Sequence, residues 1–262
     1  MSAADTSAAA PRPGTLLLVP NTLDLGAETI DLQEVLPLGV LRRAAALTHW
    51  AAEDARSARA LLKRVGAVVP LARPLQEITI TELPRPRKGS REPVPAAAWQ
   101  ALLAPALAGH DLGLVSEAGL PAVADPGSAL VAAAHRAGVP VLPLTGPSSL
   151  MLALAASGLE GQNFAFVGYL PQDAGARAAR IRELEAASRR LGQSQILIET
   201  PYRNAAMLAA LTATLAPTTR LAVACGLTLP GGWTRSGPVA DWRARPQDMP
   251  DRLPAVFSLL GS

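Results

Sequence analysis

The sequence predicts an α/β protein with two domains, a mainly parallel sheet domain followed by a smaller mixed α/β domain. Three observations support this class. Short apolar runs of strand length alternate with longer segments of helical periodicity. The apolar runs stop at clusters of Gly, Pro, Ser and Asp, as strands that lead into loops do. Hydrophobic residues make up 49% of the 262 residues and aromatic residues only 3%, so we expect a sizeable core of Leu, Val and Ala.

The first elements follow a small, Ala-rich stretch over residues 1–13, which we expect to be a disordered tail. Thr15–Val19 is predicted as the first strand, and it opens into a loop at Pro20. Leu47–Ala51 is the next predicted strand. A helix then continues to Gly66, because its apolar residues share one face. Val68–Leu71 is predicted as a further short strand.

A Pro- and Arg-rich loop is predicted over Leu83–Pro95, and it contains four cations: Arg85, Arg87, Lys88 and Arg91. Several cations on one loop can bind phosphates without reading a sequence. A solvated surface loop explains the same residues. Pro95–Gly109 is then predicted as a helix.

The central stretch carries two strands that end in loops of small residues. Leu112–Val115 leads into Ser116–Pro121, and Val139–Leu144 leads into Thr145–Ser149. Between them, Asp125 and Pro126 have the composition of a helix start, with Asp125 as its cap. In open parallel sheets ligands bind outside the carboxyl ends of the strands, where both loops are expected.

The second half is predicted to form the smaller domain, so the boundaries are 14–144 and 145–262. Its first helix is predicted over Leu150–Ala156, and a basic amphipathic helix over Arg177–Leu191. The predicted strands of this half are Phe164–Leu170, Ile196–Ile198, Leu221–Cys225 and Ala255–Leu260.

Several functional classes lack support. Cys225 is the only cysteine, which excludes an internal disulfide and a multi-cysteine metal site and fits a reducing cytoplasm. The three histidines have no metal-ligand spacing, so no metal is predicted. Neither a dinucleotide-binding glycine motif nor a P-loop is present. No apolar run is long enough to span a bilayer, and the net charge of +3 permits contact with nucleic acid without requiring it.

Five short motifs occur in order along the chain: A-E-D-x-R from Ala52, S-E-A-G-L-P-A-V-A-D-P-G from Ser116, T-G-P-S-S from Thr145, F-V-G-Y-L-P from Phe166 and E-T-P-Y-R from Glu199. Together they resemble the tetrapyrrole methylase superfamily of S-adenosylmethionine (SAM) dependent methyltransferases. The resemblance is closest to the ribosomal small-subunit methyltransferase I branch, which methylates a ribose 2′-oxygen of 16S rRNA. It extends from Gly14 to about Gly237.

The resemblance implies that SAM binds in a cleft between the two domains, largely through backbone groups. The cofactor-binding residues that it implies are Pro20, Leu23, Gly119, Leu120, Pro121, Ser149, Leu150, Ile198, Glu199, Ala224 and Cys225. Glu53 or Glu117 would orient or deprotonate the acceptor hydroxyl, and Arg56 and Arg203 would hold RNA phosphate. The family resemblance further implies a cytoplasmic homodimer that acts on rRNA or the small ribosomal subunit.

Simpler interpretations of these side chains stay open. Glu53 and Asp54 suit the positive end of a helix dipole, Glu117 could hold neighbouring backbone N–H groups, and Arg203 could be a helix-surface ion partner.

Two other functions stay open as well. The chain ends shortly after Leu260, so we expect no further C-terminal module, which favours a small-molecule acceptor such as a tetrapyrrole. Leu229 stands where the branch has lysine, and the loop after Pro20 lacks the branch's glycine. Both departures favour a paralogue that binds SAM or RNA without catalysis.

Overall fold

The structure is a computed structural model that describes residues 12–24, 30–86 and 92–262. Residues 1–11 of the predicted tail and the cations Arg87, Lys88 and Arg91 lie outside the described residues. The chain divides into two compact units between Pro147 and Ser148, whereas the sequence analysis placed the boundary after Leu144.

The first unit is built on a five-stranded parallel sheet in the order β3-β2-β4-β1-β5. Its strands are β1 (Leu16–Leu18), β2 (His49–Ala52), β3 (Thr79–Glu82), β4 (Leu112–Val115) and β5 (Val141–Pro143). Its helices are α1 (Leu32–Val35), α2 (Leu38–Ala46), α3 (Ala55–Val68), α4 (Ala96–Leu102), α5 (Ala104–Leu107) and α6 (Ser128–Arg136). A short 3₁₀ turn, Leu75–Glu77, precedes β3.

Both faces of this sheet are covered, which explains why its central strand is apolar throughout. All four residues of β4 are buried. Because neighbouring side chains of a strand point to opposite faces, Val115 packs in the core with α1, α2 and α3, and Leu114 packs in the core with α5 and α6. A Cβ on Gly113 would meet the Trp50 ring at 2.7 Å, so glycine is required there.

The second unit holds a mixed five-stranded sheet in the order β6-β7-β10-β8-β9. Only the β6–β7 pair is parallel. Its strands are β6 (Phe164–Gly168), β7 (Ser194–Glu199), β8 (Arg220–Cys225), β9 (Trp233–Pro238) and β10 (Ala255–Leu260). Its helices are α7 (Ser149–Ser157), α8 (Ala174–Leu191), α9 (Asn204–Thr214) and α10 (Val239–Ala244), with a 3₁₀ turn at Pro201–Arg203.

The predicted α/β class, with a parallel sheet followed by a mixed one, is confirmed. Three local predictions are wrong. Asp125 does not cap a helix, because α6 begins at Ser128 after Gly127, whose φ of 126° favours glycine. Gly66 does not end α3, which continues to Val68. Val68–Leu71 is therefore not a strand: Val69 caps α3 by donating its N–H to Val65 O.

Candidate active site

The two predicted catalytic acids lie side by side at the carboxyl edge of the parallel sheet. Ala52 of β2 pairs with Val115 of β4, so the loops after these strands leave the sheet together. Glu53 donates its N–H to Val115 O at 3.1 Å. Its carboxylate accepts the N–H of Glu117 at 3.2 Å. The Glu53 side chain therefore contacts the backbone of the second acid.

Asn21 joins the loop after β1 to the loop after β4. Its buried side-chain amide donates to Ser116 O at 3.1 Å and to Glu117 O at 2.9 Å. Its N–H donates to Gly119 O at 2.9 Å, and Gly119 N–H donates to Thr22 O at 3.3 Å. Gly119 has a φ of 65°, a conformation that disfavours other residues. These contacts set the backbone from which Glu117 projects.

A buried ion pair ties the same first loop to α3. Arg64 lies 3.0 Å from the Asp24 carboxylate, whose side chain has no exposed surface. The guanidinium also donates to Thr22 Oγ1 at 3.3 Å and to Ile30 O at 2.9 Å. Neither Asn21 nor Arg64 was predicted as a site residue, because their partners are far away in the sequence.

The predicted cofactor-binding residues of the first unit pack tightly on one another. Pro20 is buried against Gly146, where an added Cβ would collide with the proline ring. A Cβ on Gly119 would lie 3.4 Å from the Leu23 side chain. Leu23 and Pro121 are buried and Leu120 is half-buried. The side chains of Pro20 and Leu23 thus hold the loop in place.

Two carboxyl groups at this edge, those of Glu117 and Asp125, have raised pKa values. Although Glu117 is an exposed residue, partial desolvation of its carboxyl raises its pKa. The negative charges of Glu53 and Asp54 raise this pKa further, and Arg85 opposes them. Burial together with the charges of Glu53 and Glu117 raises the pKa of Asp125 to about 7. Asp125 is thus a third acid of the cluster, near half-ionised at neutral pH, and sequence reasoning missed it by assigning it to a helix cap.

Asp54 caps a helix, whereas the adjacent Glu53 contacts the loop after β4. Its carboxylate accepts the N–H of Ser57 at 2.8 Å and so caps α3. This hydrogen bond lowers the pKa of Asp54. The helix-end interpretation therefore holds for Asp54, whereas the Glu53 carboxylate turns to the loop after β4.

Glu117 and Arg56 line one cavity of about 300 Å³, although Glu117 lies in the loop after β4 and Arg56 in the first turn of α3. The remaining residues that line this cavity are Asn21, Ser57, Ala60, Leu61 and Arg64. Both Glu117 and Arg56 are exposed. The cavity thus places an acid of raised pKa and a cation within one small volume.

In the second unit, the sheet register brings the predicted cofactor-binding residues into two adjacent rows. Val256 of β10 pairs with Ile198 on one side and Ala224 on the other. Ala255 pairs likewise with Glu199 and Cys225. The strands that carry these residues, β7 and β8, thus end at the same edge of the sheet.

The side chains of these rows do not all face one way. Leu150 packs with Ala224 and, more loosely, with Ile198. Cys225 belongs to the core on the opposite face, where burial raises the pKa of its thiol. Ser149 begins α7 and is half-buried. Leu150, Ala224 and Ile198 therefore lie on one apolar face of the second sheet, and the Cys225 side chain lies on the other face.

Arg203 is paired with Glu199 at 3.0 Å, and both side chains are largely buried. The Glu199 carboxylate also accepts the N–H of Thr200 at 2.8 Å. The ion-partner interpretation thus describes the contact of Arg203, and its role toward phosphate stays a prediction.

Within the described part of the chain, no group of three or more His, Cys, Asp or Glu side chains is arranged to hold a metal ion. A search of the same residues finds no helix long and apolar enough to cross a membrane.

Comparison with known proteins identifies the family. Residues 38–241 match the model of the Tetrapyrrole (Corrin/Porphyrin) Methylases. The chain belongs to the tetrapyrrole methylase family. The predicted membership in a methyltransferase family is therefore confirmed.

Curated relatives of this tetrapyrrole methylase carry the name ribosomal RNA small subunit methyltransferase I. The protein from Xylella fastidiosa is 34% identical over 214 residues, which cover 80% of this chain and 67% of that protein. The protein from Mesorhizobium japonicum is 34% identical over 193 residues, 74% and 59% of the two chains. The protein from Micromonospora olivasterospora is 46% identical over 107 residues, 41% and 33% of the two chains. Those last two matches thus span 33% to 59% of the relatives' length.

Solved structures share the fold of this tetrapyrrole methylase. Uroporphyrin-III-C-methyltransferase from Thermus thermophilus has a TM-score of 0.51 at 19% identity, covering 95% of this chain and 92% of that one. The methyltransferase CobJ has a TM-score of 0.56 at 17% identity, covering 95% of each chain. At these identities the likeness concerns the fold alone.

Proposed function

We propose that the protein is a SAM-dependent methyltransferase that methylates a ribose 2′-hydroxyl of small-subunit rRNA. The observation that carries the proposal is the cavity that Glu117 and Arg56 share. A carboxylate can accept the proton of a ribose hydroxyl, and a nearby cation can bind the neighbouring phosphate. The names of the curated relatives support rRNA as the substrate class.

The residues fit a cofactor that is bound through main-chain groups and small apolar side chains. In the first unit, Gly119 has no side chain and a φ of 65°. In the second unit, Leu150, Ile198 and Ala224 share an apolar face. The hydroxyl of Ser116 is buried and has no hydrogen-bond partner within the described residues. Bound SAM supplies an activated methyl group for in-line displacement.

Each charged residue has a distinct role in this proposal. Glu117 accepts the proton of the attacking hydroxyl, and its raised pKa makes it a stronger base than an ordinary carboxylate. Glu53 holds the Glu117 backbone through its carboxylate. Arg56 binds the adjoining phosphate, and Arg203 provides a second contact to RNA. The arrangement contributes chiefly alignment, which can supply a large part of a rate enhancement.

Calorimetric titration with SAM, and separately with its demethylated product, is the first test. We expect dissociation constants in the micromolar range, about −8 kcal/mol. The second test measures transfer of a radiolabelled methyl group from SAM to small ribosomal subunits that lack the modification. Absence of binding to either compound would contradict the enzyme assignment. Binding of SAM with methyl transfer only to tetrapyrroles would favour the small-molecule alternative.

The family resemblance also supports a homodimer in the cytoplasm, where ribosomal subunits are found. Light scattering at several protein concentrations tests the dimer, and a monomer at all of them would contradict it.

A further inference from the structure

A second cavity lies beside the acidic cluster and shares no lining residue with the cavity of Glu117 and Arg56. Its volume is about 450 Å³. The residues that line it are Glu53, Leu83, Pro84, Arg85, Pro86, Pro93, Val94, Trp99, Pro126, Gly127, Ser128 and Ala129. We name it the Trp99 cavity. Glu53 is its link to the site, because the same side chain contacts the backbone of Glu117.

The walls of the Trp99 cavity suit a flat ring. Trp99 is half-buried and packs against the core at its inner edge. Pro84, Pro86 and Pro93 add rigid apolar surface. Aromatic side chains stack on nucleobases whatever their sequence, because every base has a π-face. Volumes of this size hold ligands of nucleotide size.

The polar groups of the cavity suit the rest of a nucleotide. Arg85 is exposed and donates to Glu53 O at 2.9 Å. A guanidinium has five N–H donors, so this single contact leaves donors for a phosphate. The Glu53 carboxylate can accept a hydrogen bond from an exocyclic amino group, which adenine, cytosine and guanine carry and uracil lacks.

We propose that the Trp99 cavity binds the base of a nucleotide adjoining the acceptor nucleotide, stacked on Trp99, with its phosphate on Arg85. The inference rests on the proposed RNA substrate and extends it to a second nucleotide. Amino-bearing bases bind more tightly than uracil. The cavity thereby sets the register of the RNA, so that the hydroxyl beside Glu117 belongs to one nucleotide only.

The direct test needs neither SAM nor ribosomal subunits. Trp fluorescence of the full chain is titrated with AMP, CMP, GMP and UMP, with correction for nucleotide absorption. We expect saturable quenching by the first three and at least threefold weaker binding of UMP. Trp99→Leu removes the quenching, Trp99→Phe retains binding measured by calorimetry, and Tyr202→Leu, a control at an exposed aromatic of the other unit, changes nothing. Unaltered quenching in Trp99→Leu would overturn the inference.

A kinetic test separates this inference from the proposed function. With small ribosomal subunits as substrate, Trp99→Leu should raise KM about tenfold and leave SAM affinity unchanged, provided that its melting temperature matches the parent protein. If the parent protein methylates the subunits and Trp99→Leu does so with the same KM, the result contradicts the proposed role of the Trp99 cavity but not the proposed function. Nucleotide binding at Trp99 without methyl transfer to subunits contradicts the proposed function alone.

Discussion

The main-chain N–H of Glu117 donates to the carboxylate of Glu53 across 3.2 Å. The contact joins the ends of two adjacent parallel strands, and it separates the roles of two acids that sequence reasoning could not distinguish. Glu53 uses a carboxylate oxygen to hold the loop, whereas Glu117 lines the cavity together with Arg56. We therefore propose Glu117 as the base and Glu53 as the residue that positions it.

Substitution of the two acids should give different kinetic results. Glu117→Gln removes the base, so we expect methyl transfer to fall at least about 100-fold, the usual range for general bases, with SAM affinity retained in calorimetry. Glu53→Gln keeps an oxygen that accepts the Glu117 N–H and should lose much less activity than Glu53→Ala. Equal losses in Glu53→Gln and Glu117→Gln would contradict this division of roles.

The Arg64–Asp24 pair should contribute strongly to stability. Arg64→Met removes the cation that lies 3.0 Å from the buried Asp24 carboxylate, and loss of such a pair costs about 3–5 kcal/mol. Arg180→Met is the matched control, because Arg180 pairs with Glu183 on an exposed face and such pairs contribute about 0–1 kcal/mol. Urea unfolding followed by circular dichroism measures both. Similar small losses in the two variants would show that the buried pair is not required.

Gly146 should be intolerant of even one methyl group. The Cβ of Gly146→Ala would collide with the Pro20 ring, so we expect a loss of about 1–3 kcal/mol and weaker SAM binding. Gly39→Ala is the control: nothing lies within 4 Å of its added Cβ in helix α2, where alanine is favoured by up to about 1 kcal/mol. Thermal unfolding of both variants checks the contrast, and equal melting temperatures would refute it.

The acid of highest pKa in the cluster should make stability depend on pH. Asp125 has a pKa of about 7 in the folded protein, against about 3.9 in an unfolded chain. Between these values the folded state holds a proton that the unfolded state has released, so stability falls as pH rises from about 4 to about 7. Asp125→Asn removes this effect and should be more stable than the parent protein at pH 8, with the difference vanishing near pH 3.5.

Unfolding in guanidinium chloride across this pH range measures that difference. The difference in free energy of unfolding between Asp125→Asn and the parent protein cancels the contribution of other acids. One of these is Asp54, whose lowered pKa gives the opposite dependence on pH. A constant difference between the two proteins from pH 4 to pH 8 would mean that the Asp125 carboxyl is not perturbed.

Central strands could be predicted from the sequence, and polar edge strands could not. Leu112–Val115 and Ala255–Leu260 were predicted with the bounds that the structure has, because central strands buried on both faces are mainly apolar. The strands β3 and β9 were missed. Both are edge strands with polar sequences, T-I-T-E and W-T-R-S-G-P, and their strand character comes from pairing with a neighbour.

For the site, motifs identified the residue types and the fold supplied their partners. Glu53 and Glu117 could be selected because their motifs resemble a family. Asn21 could not, since its role depends on a contact with Glu117 at a separation of 96 residues. Asp125 was misassigned because Asp followed by Pro is a common helix start. The left-handed conformations of Ala122 and Ala124 form a turn before it instead.

The strand order of the first sheet has a consequence for synthesis on the ribosome. Among the residues that the structure describes, Leu16 of β1 pairs with Leu112 and Val141, so β1 has no partner strand there until β4 is made. At typical rates of about 5–20 residues per second, this interval lasts on the order of 5–20 s. During it, an apolar strand with free edges is exposed to other nascent chains. Because transiently unpaired strand edges favour aggregation, we expect chaperones to assist the folding of this unit during synthesis.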